Sequence, residues 1–336
     1  FSALGIQVGL ITANSKLEIR NSKFDIVVGT HALLSAKLAM DRVGLVVIDE
    51  QHRFGVAQRA LAAALGKSPH ILTMTAPPIP RTIALTMYGD LDLSTLTEMP
   101  PGRIPVKTWV VPESKRTASY DWIKFQISNF KSQIFVVCPF IDESETLTTV
   151  KAATAEFAKL TRIFTGLKLG LLHGKLKATE KDVVISKFRS GEYRILVTTP
   201  VVEVGLDIPS ASIMVVEGAD RFGLAQLHQL RGRVGRGGQP SYCLLFADRI
   251  TPRLLAMQKY HTGIELAEID LQLRGPGEVY GLAQHGQPNF KVATYSDLDL
   301  IGQAKTAATA LLPQLPKLPI LRSLVEKDKI GLVTPN

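Results

Sequence analysis

Two cysteines in 336 residues, Cys138 and Cys243, leave no room for a disulfide framework, and no Cys/His grouping has the spacing of a zinc site. Both sit in apolar, strand-like runs, as buried thiols of a reducing compartment do, so the cytoplasm is the expected location. No apolar run approaches the ~20 residues of a membrane span, and no stretch has the form of a signal peptide. Also absent is the phosphate-cradling pattern G-x-x-x-x-G-K-[ST]. The nearest string, GLLHGK at 170–175, has one residue too few between its glycines and a Leu after its Lys. Acid is in short supply as well: 30 Asp and Glu stand against 39 Lys and Arg, a net charge of +9. That imbalance favours a polyanionic partner, most often nucleic acid.

What is present is ample apolar content, 46% of residues, with 21% charged, which suits packed cores and not a disordered chain. The length suits two domains with an appendage. The chain opens on Phe1-Ser2 without Met and runs at once into GIQVGLITANSK, which reads as the middle of a domain and predicts a piece of a longer protein. FDIVVGT (24–30), GLVVIDE (44–50) and HILTMTA (70–76) read as buried strands, with helices at HALLSAKLAM and GVAQRALAAALG between them. This alternation predicts a parallel sheet covered on both faces. The turn-rich EMPPGRIPV (98–106) reads as a linker. The pattern then restarts, with strands expected in VKTWVV, QIFVVCP, LKLGLLHG, YRILVTT, SIMVVEG and SYCLLF, and helices in TLTTVKAATAEFAKLT and TEKDVVISKFRSG. From Thr251 a helix, a turn, a second helix and a Gly-rich loop are expected, then another helix and Pro-rich connections.

Two constellations carry chemistry. Asp49-Glu50 ends a strand-like run, and side chains at the carboxyl end of a parallel strand project into the ligand crevice. An Asp there suits a magnesium ion held through water, and a Glu beside it suits an attacking water; nucleotide hydrolysis needs both. An acidic helix start is the structural alternative. Gln51 and His52 add side chains able to couple such a site to a neighbouring domain. In QLHQLRGRVGRG, Gln226 to Gly237, three arginines (Arg231, Arg233, Arg236) are interleaved with Gly232, Gly235 and Gly237, and no acid lies between Arg221 and Asp248. Glycine lets backbone approach closely and aims the guanidinium forks, as a phosphate-bearing partner requires. A solvated basic loop is the alternative.

These stretches together resemble a superfamily 2 helicase motor, and closely the RecG branch-migration helicases. VVIDEQHRFGVAQR resembles motif II in its DEQH form, TMTAPPIPRT (73–82) motif III, VVGTHALL (27–34) motif Ib, and QLHQLRGRVGRG motif VI. LLHGKLKATEKDVVISKFRSGEYRILVTTPVVEVGLDIPSA covers the ground of motifs IV and V. TGIELAEIDLQLRGPGEVYG is similar to the helical hairpin and loop that RecG shares with Mfd, the transcription-repair coupling translocase. The resemblance implies an α/β fold of parallel-sheet RecA-like helicase lobes, the first partial (1–103) and the second complete (104–249), with a carboxyl-terminal helical hairpin and loop extension (250–336). It implies ATP and Mg2+ as cofactors and branched or duplex DNA as partner. It also implies a missing amino-terminal part of the same protein, carrying the P-loop and the wedge domain.

By position, the resemblance casts Asp49 as magnesium ligand and Glu50 as catalytic base. It casts Gln229, Arg233 and Arg236 as facing the γ-phosphate. Gln51, His52, Thr73, Thr75, Gly205, Asp207 and Arg274 would couple hydrolysis to movement. Thr30, His31, Thr198 and Thr199 would lie along DNA phosphates. His173-Gly174 reads as a strand end and turn with a phosphate contact. Three departures stand out: Pro77 in motif III in place of a hydroxyl residue, Pro200 in TTPVVEVG, and His285 in AQHG. Trp109 and Trp122 read as packing residues, His261 and His285 as exposed or as N–H donors, and Thr179 with Asp182 as a loose capping box. An Mfd-like translocase and a DNA-binding piece without ATPase activity are the alternatives.

Overall fold

The computed structural model describes residues 2–12, 24–30, 33, 43–50, 69–75, 92–96, 98–139, 146–200, 208–274 and 298–328. It divides into two compact units, Phe1–Ala76 with Leu311–Asn336, and Pro77–Ala310. In the first unit β1 (Val8–Ile11) pairs in parallel with β2 (Ile26–Gly29), and β3 (Leu45–Ile48) with β4 (His70–Thr73). All three strands expected in this region form, but they are not the buried strands expected: Val28, Leu45, Val47 and Ile71 are exposed. The helices expected at 31–40 and 55–66 lie outside the described residues, apart from Leu33.

The second unit holds a six-stranded parallel sheet: β5 (Lys107–Val111), β6 (Gln133–Val137), β7 (Leu169–Leu172), β8 (Ile195–Thr198), β9 (Ala211–Val216) and β10 (Tyr242–Phe246). Their spatial order is β5-β10-β9-β6-β8-β7. The residues of β6, β8 and β9 are buried throughout, which is why these strands read as unbroken apolar runs and not as alternating ones. The period of two still sorts them by face. Phe135, Val137, Leu196, Met214 and Leu245 enter one core, and Ile134, Val136, Ile195, Val215 and Leu244 the other.

Helices cover both faces. Over the second core lie α1 (Arg116–Phe130), through Tyr120, Ile123 and Ile127, and α2 (Thr146–Ile163), through Ala153 and Leu160. Over the first lie α3 (Ala178–Arg189), α4 (Leu224–Arg231), α5 (Pro252–Lys259) and α6 (Gly263–Arg274). Two further helices follow, α7 (Leu298–Leu311) and α8 (Pro319–Asp328). Helix α1 was not expected from sequence, although Tyr120, Ile123 and Ile127 carry its spacing. Arg116 at its start ion-pairs with the buried Glu217 after β9 and lies 4.9 Å from the Phe246 ring.

The loose capping box is corrected. Lys177 is the N-cap of α3, and its amide donates to the Glu180 carboxylate at 2.8 Å, so Glu180 and not Asp182 caps the helix start, and a lysine N-cap, having no acceptor, makes no full box. Trp109 and Trp122 pack as expected: Trp109 stacks on Tyr242 at 5.3 Å, and Trp122 meets both rings edge-on. Cys138 and Cys243 are free, buried thiols, each pushed up to about 12 by burial.

Candidate active site

In the first unit the two strand ends meet. Ile48 pairs with Thr73, and the Met74 amide donates to the Ile48 carbonyl at 2.8 Å, so Asp49-Glu50 and Thr73–Thr75 leave the β3–β4 pair side by side. Asp49 is exposed and Glu50 half-buried. The Glu50 amide donates to the Asp49 Oδ1 at 2.9 Å, and Glu50 holds φ at +54°. Only one other described residue besides glycine shares that region, Lys131, which ends α1 in the usual left-handed manner. Glu50 ends no helix. A non-glycine residue held there costs about 1–3 kcal/mol, and such strain gathers at functional sites. Both carboxylates stand at the end of β3. Thr30, at the end of β2, is exposed, and its amide donates to Ile11 at 3.2 Å. His31, Gln51, His52 and Pro77 lie outside the described residues.

In the second unit α4 buries Leu224, Leu227 and Leu230 and turns at Gly232 into the loop that carries the arginines. Val234 plugs the core. Gly235 has φ +80°, and a Cβ there would stand 3.0 Å from the Val106 side chain; a Cβ at Gly237 would stand 2.4 Å from the Pro209 carbonyl. These glycines are therefore demanded by the close fit of the loop on its own lobe. Gln229 and Arg233 are half-buried, Arg236 exposed. The Arg236 Nε donates to the Gly232 carbonyl at 3.3 Å, and Arg103, from the expected linker, donates to the same oxygen at 3.3 Å.

Arg231 departs from the other two arginines and corrects the expectation of three phosphate-directed forks. It is 4% exposed and turned inward. Its Nη1 donates to the carbonyls of Met257 and Tyr260, both at 2.9 Å, and its Nη2 to the His261 carbonyl and to His228, both at 3.0 Å. Burial, then Arg231, then Arg103 pull His228 down to about 4. Leu224, Leu227 and Arg231 fall at i, i+3 and i+7 of α4, so the face that packs on the core also turns Arg231 inward.

The strand-end residues of β8 are placed inside. Thr198 and Thr199 are both buried, and the Thr198 hydroxyl donates to the Thr199 carbonyl at 2.8 Å. His173 follows β7 as a half-buried turn residue, as expected; burial, then Lys181, lowers its pKa, with Glu180 opposing. Gly205 and Asp207 lie outside the described residues, as does His285. Arg274 is the last residue of α6. His261 is exposed.

Residues 117–238 match the family model described as the helicase conserved C-terminal domain. The match takes in β6, β7, β8, β9 and the arginine loop, which places this part of the chain in the helicase class. Over 332 residues the chain is 44% identical to the ATP-dependent DNA helicase RecG of Synechocystis sp., across 95% of this chain and 40% of that protein. Over 319 residues it is 46% identical to RecG of Thermotoga maritima, across 91% of this chain and 41% of that one. Among solved structures, RecG bound to a three-way DNA junction matches with a TM-score of 0.64 and 41% identity, covering 88% of this chain and 40% of that chain. The chain matches RecG helicases along about nine tenths of its own length, and it spans about two fifths of the length of these relatives. Among the described residues no helix is long and apolar enough to cross a membrane.

Proposed function

We propose that this chain supplies the motor core of an ATP-dependent helicase that remodels branched DNA. The observation that carries the reading is the 41% identity to a RecG solved on a three-way junction, extending over 88% of the chain and so through both the arginine loop and the hairpin. A basic protein of net charge +9 suits that partner. The expected divisions at 103 and 249 then separate two motor lobes from the hairpin extension.

The donor set fits the cofactors. Magnesium prefers hard oxygen ligands and keeps most of its waters, so one or two carboxylates suffice. Asp49 would hold the ion, which when bound neutralises charge on the phosphates. Glu50, fixed by its strained backbone, accepts the proton of the attacking water. Arg233 and Arg236 stabilise charge developing on the transferring phosphoryl group, and Gln229 donates to its oxygens. Gln51, His52, Thr73, Thr75, Gly205, Asp207 and Arg274 pass the hydrolytic state on to the DNA-moving parts. Thr30 and His31 bind DNA phosphates directly. At Thr198–Thr199 the buried hydroxyls shape the strand end that does so.

The test is made on the whole protein to which this segment belongs: DNA-stimulated phosphate release together with unwinding of a three-way junction. Hydrolysis that ignores DNA, or unwinding without ATP, rejects the reading. This chain by itself, with no P-loop pattern in its sequence, is expected to bind duplex DNA weakly and with steep salt dependence, and to release phosphate at a rate several powers of ten below the whole protein.

A further inference from the structure

We propose that Arg231 is a positioning residue that locks the α5–α6 hairpin onto the arginine-bearing helix α4, and that it takes no part in contacting nucleotide. The last carbonyls of an α-helix find no partner within the helix. Helix α5 ends at Lys259, and Arg231 reaches its unpaired end, donating to Met257 and Tyr260 at 2.9 Å and to His261 in the following turn at 3.0 Å. One guanidinium thus satisfies three carbonyls, and a buried cation meets the negative end of a helix dipole. A lysine has the charge but not the planar fork. The fourth bond goes to His228, which must accept because a guanidinium only donates. Burial keeps that imidazole neutral and so able to accept.

Apolar packing reinforces the lock: Leu227 and Leu230 of α4 share one core with Leu254 and Met257 of α5 and Leu266 of α6. Arg233 stands two residues beyond Arg231, and Arg274 closes α6. A shift of the arginine loop on meeting phosphate therefore carries the hairpin with it as one body. This consequence for movement rests on the helicase reading above; the capping geometry does not.

The test uses Arg231→Met and Arg231→Lys in the whole protein. Three quantities are compared with wild type: amide exchange over residues 257–266, the KM for ATP, and junction unwound per ATP hydrolysed. Exchange should quicken about tenfold in Arg231→Met and by less in Arg231→Lys. The KM should stay within about twofold, and unwinding per ATP should fall about tenfold. If Arg231→Met does not fold, Arg231→Lys carries the same comparison. Unchanged exchange overturns the proposal. So does a KM raised about tenfold, which would place Arg231 at the phosphates, and so does quickened exchange with full unwinding per ATP. If the wild-type protein unwinds no branched DNA, the helicase reading fails, while the exchange measurement still decides whether Arg231 holds the hairpin.

Discussion

The acidic strand end and the arginine loop are held in different ways. Asp49 and Glu50 stand at the end of a two-stranded pair, kept in place by a ladder bond from Met74 and by a strained Glu50 backbone. Arg233 and Arg236 ride on a loop clamped from three sides: Val234 in the core, Gly237 against Pro209, and Arg103 on the Gly232 carbonyl. Substitution of the acids should therefore change chemistry with little effect on folding. Around the arginines, chemistry and folding part company between residues two positions apart, since Arg231 faces in and Arg233 does not.

The largest effect should come from the acidic pair. Glu50→Gln in the whole protein should lower DNA-stimulated hydrolysis by about 10²–10⁴-fold while the Kd for ATP holds within a few fold, because Gln keeps the shape but accepts no proton. Loss of ATP binding with residual turnover would make Glu50 structural. Next come Arg233→Ala and Arg236→Ala, each expected to cost about 10²–10³ in kcat at nearly unchanged Tm. Arg231→Met should do the reverse to folding, losing about 2–3 kcal/mol in a denaturant titration as buried carbonyls lose their donor. Equal stability losses at 231 and 233 would erase the contrast.

At the far end of the hairpin, Arg274→Ala should leave most DNA-stimulated hydrolysis intact while junction unwinding collapses, whereas a residue serving only an exposed turn pair would change neither by more than ~0.2–1 kcal/mol. A smaller effect concerns pH. The folded pKa of His228, about 4, lies below the ordinary 6.5, so the unfolded chain takes up the proton first. The stabilisation is whole above pH 6.5 and drains away as pH falls toward 4, with a slope of at most about 1.4 kcal/mol per unit. His228→Gln should flatten that part of a Tm-against-pH curve. Least of all, Thr30→Ala should weaken DNA binding by a few fold in a salt titration, while Thr198→Ala, whose hydroxyl is spent on Thr199, should leave the salt slope unchanged.

Local pattern sufficed for much of this. Unbroken apolar runs marked β6, β8 and β9 because a strand buried on both faces has no polar alternation to hide. The hairpin was legible as two helices separated by a turn, since Thr251 caps α5 ahead of Pro252 and Thr262 with Glu265 caps α6. Helix α1 escaped because its exposed face carries Phe125 and Phe130, which blur its stripe of Tyr120, Ile123 and Ile127. Among the candidate residues, the acids and the arginine loop declared themselves by residue type and order. The division of labour within the loop did not.

The sequence by itself determined the parallel α/β architecture, the acid-tipped strand and the RecG resemblance, all of which depend on period, residue type and order along the chain. Tertiary structure alone decided that Arg231 is a helix cap, that Arg103 and Arg236 share one carbonyl, and that Thr198 and Thr199 are buried. Each of those outcomes depends on where distant carbonyls and side chains come to rest. A guanidinium beside glycine looks the same in sequence whether it meets a phosphate or the unpaired end of a helix, because both offer only oxygen acceptors.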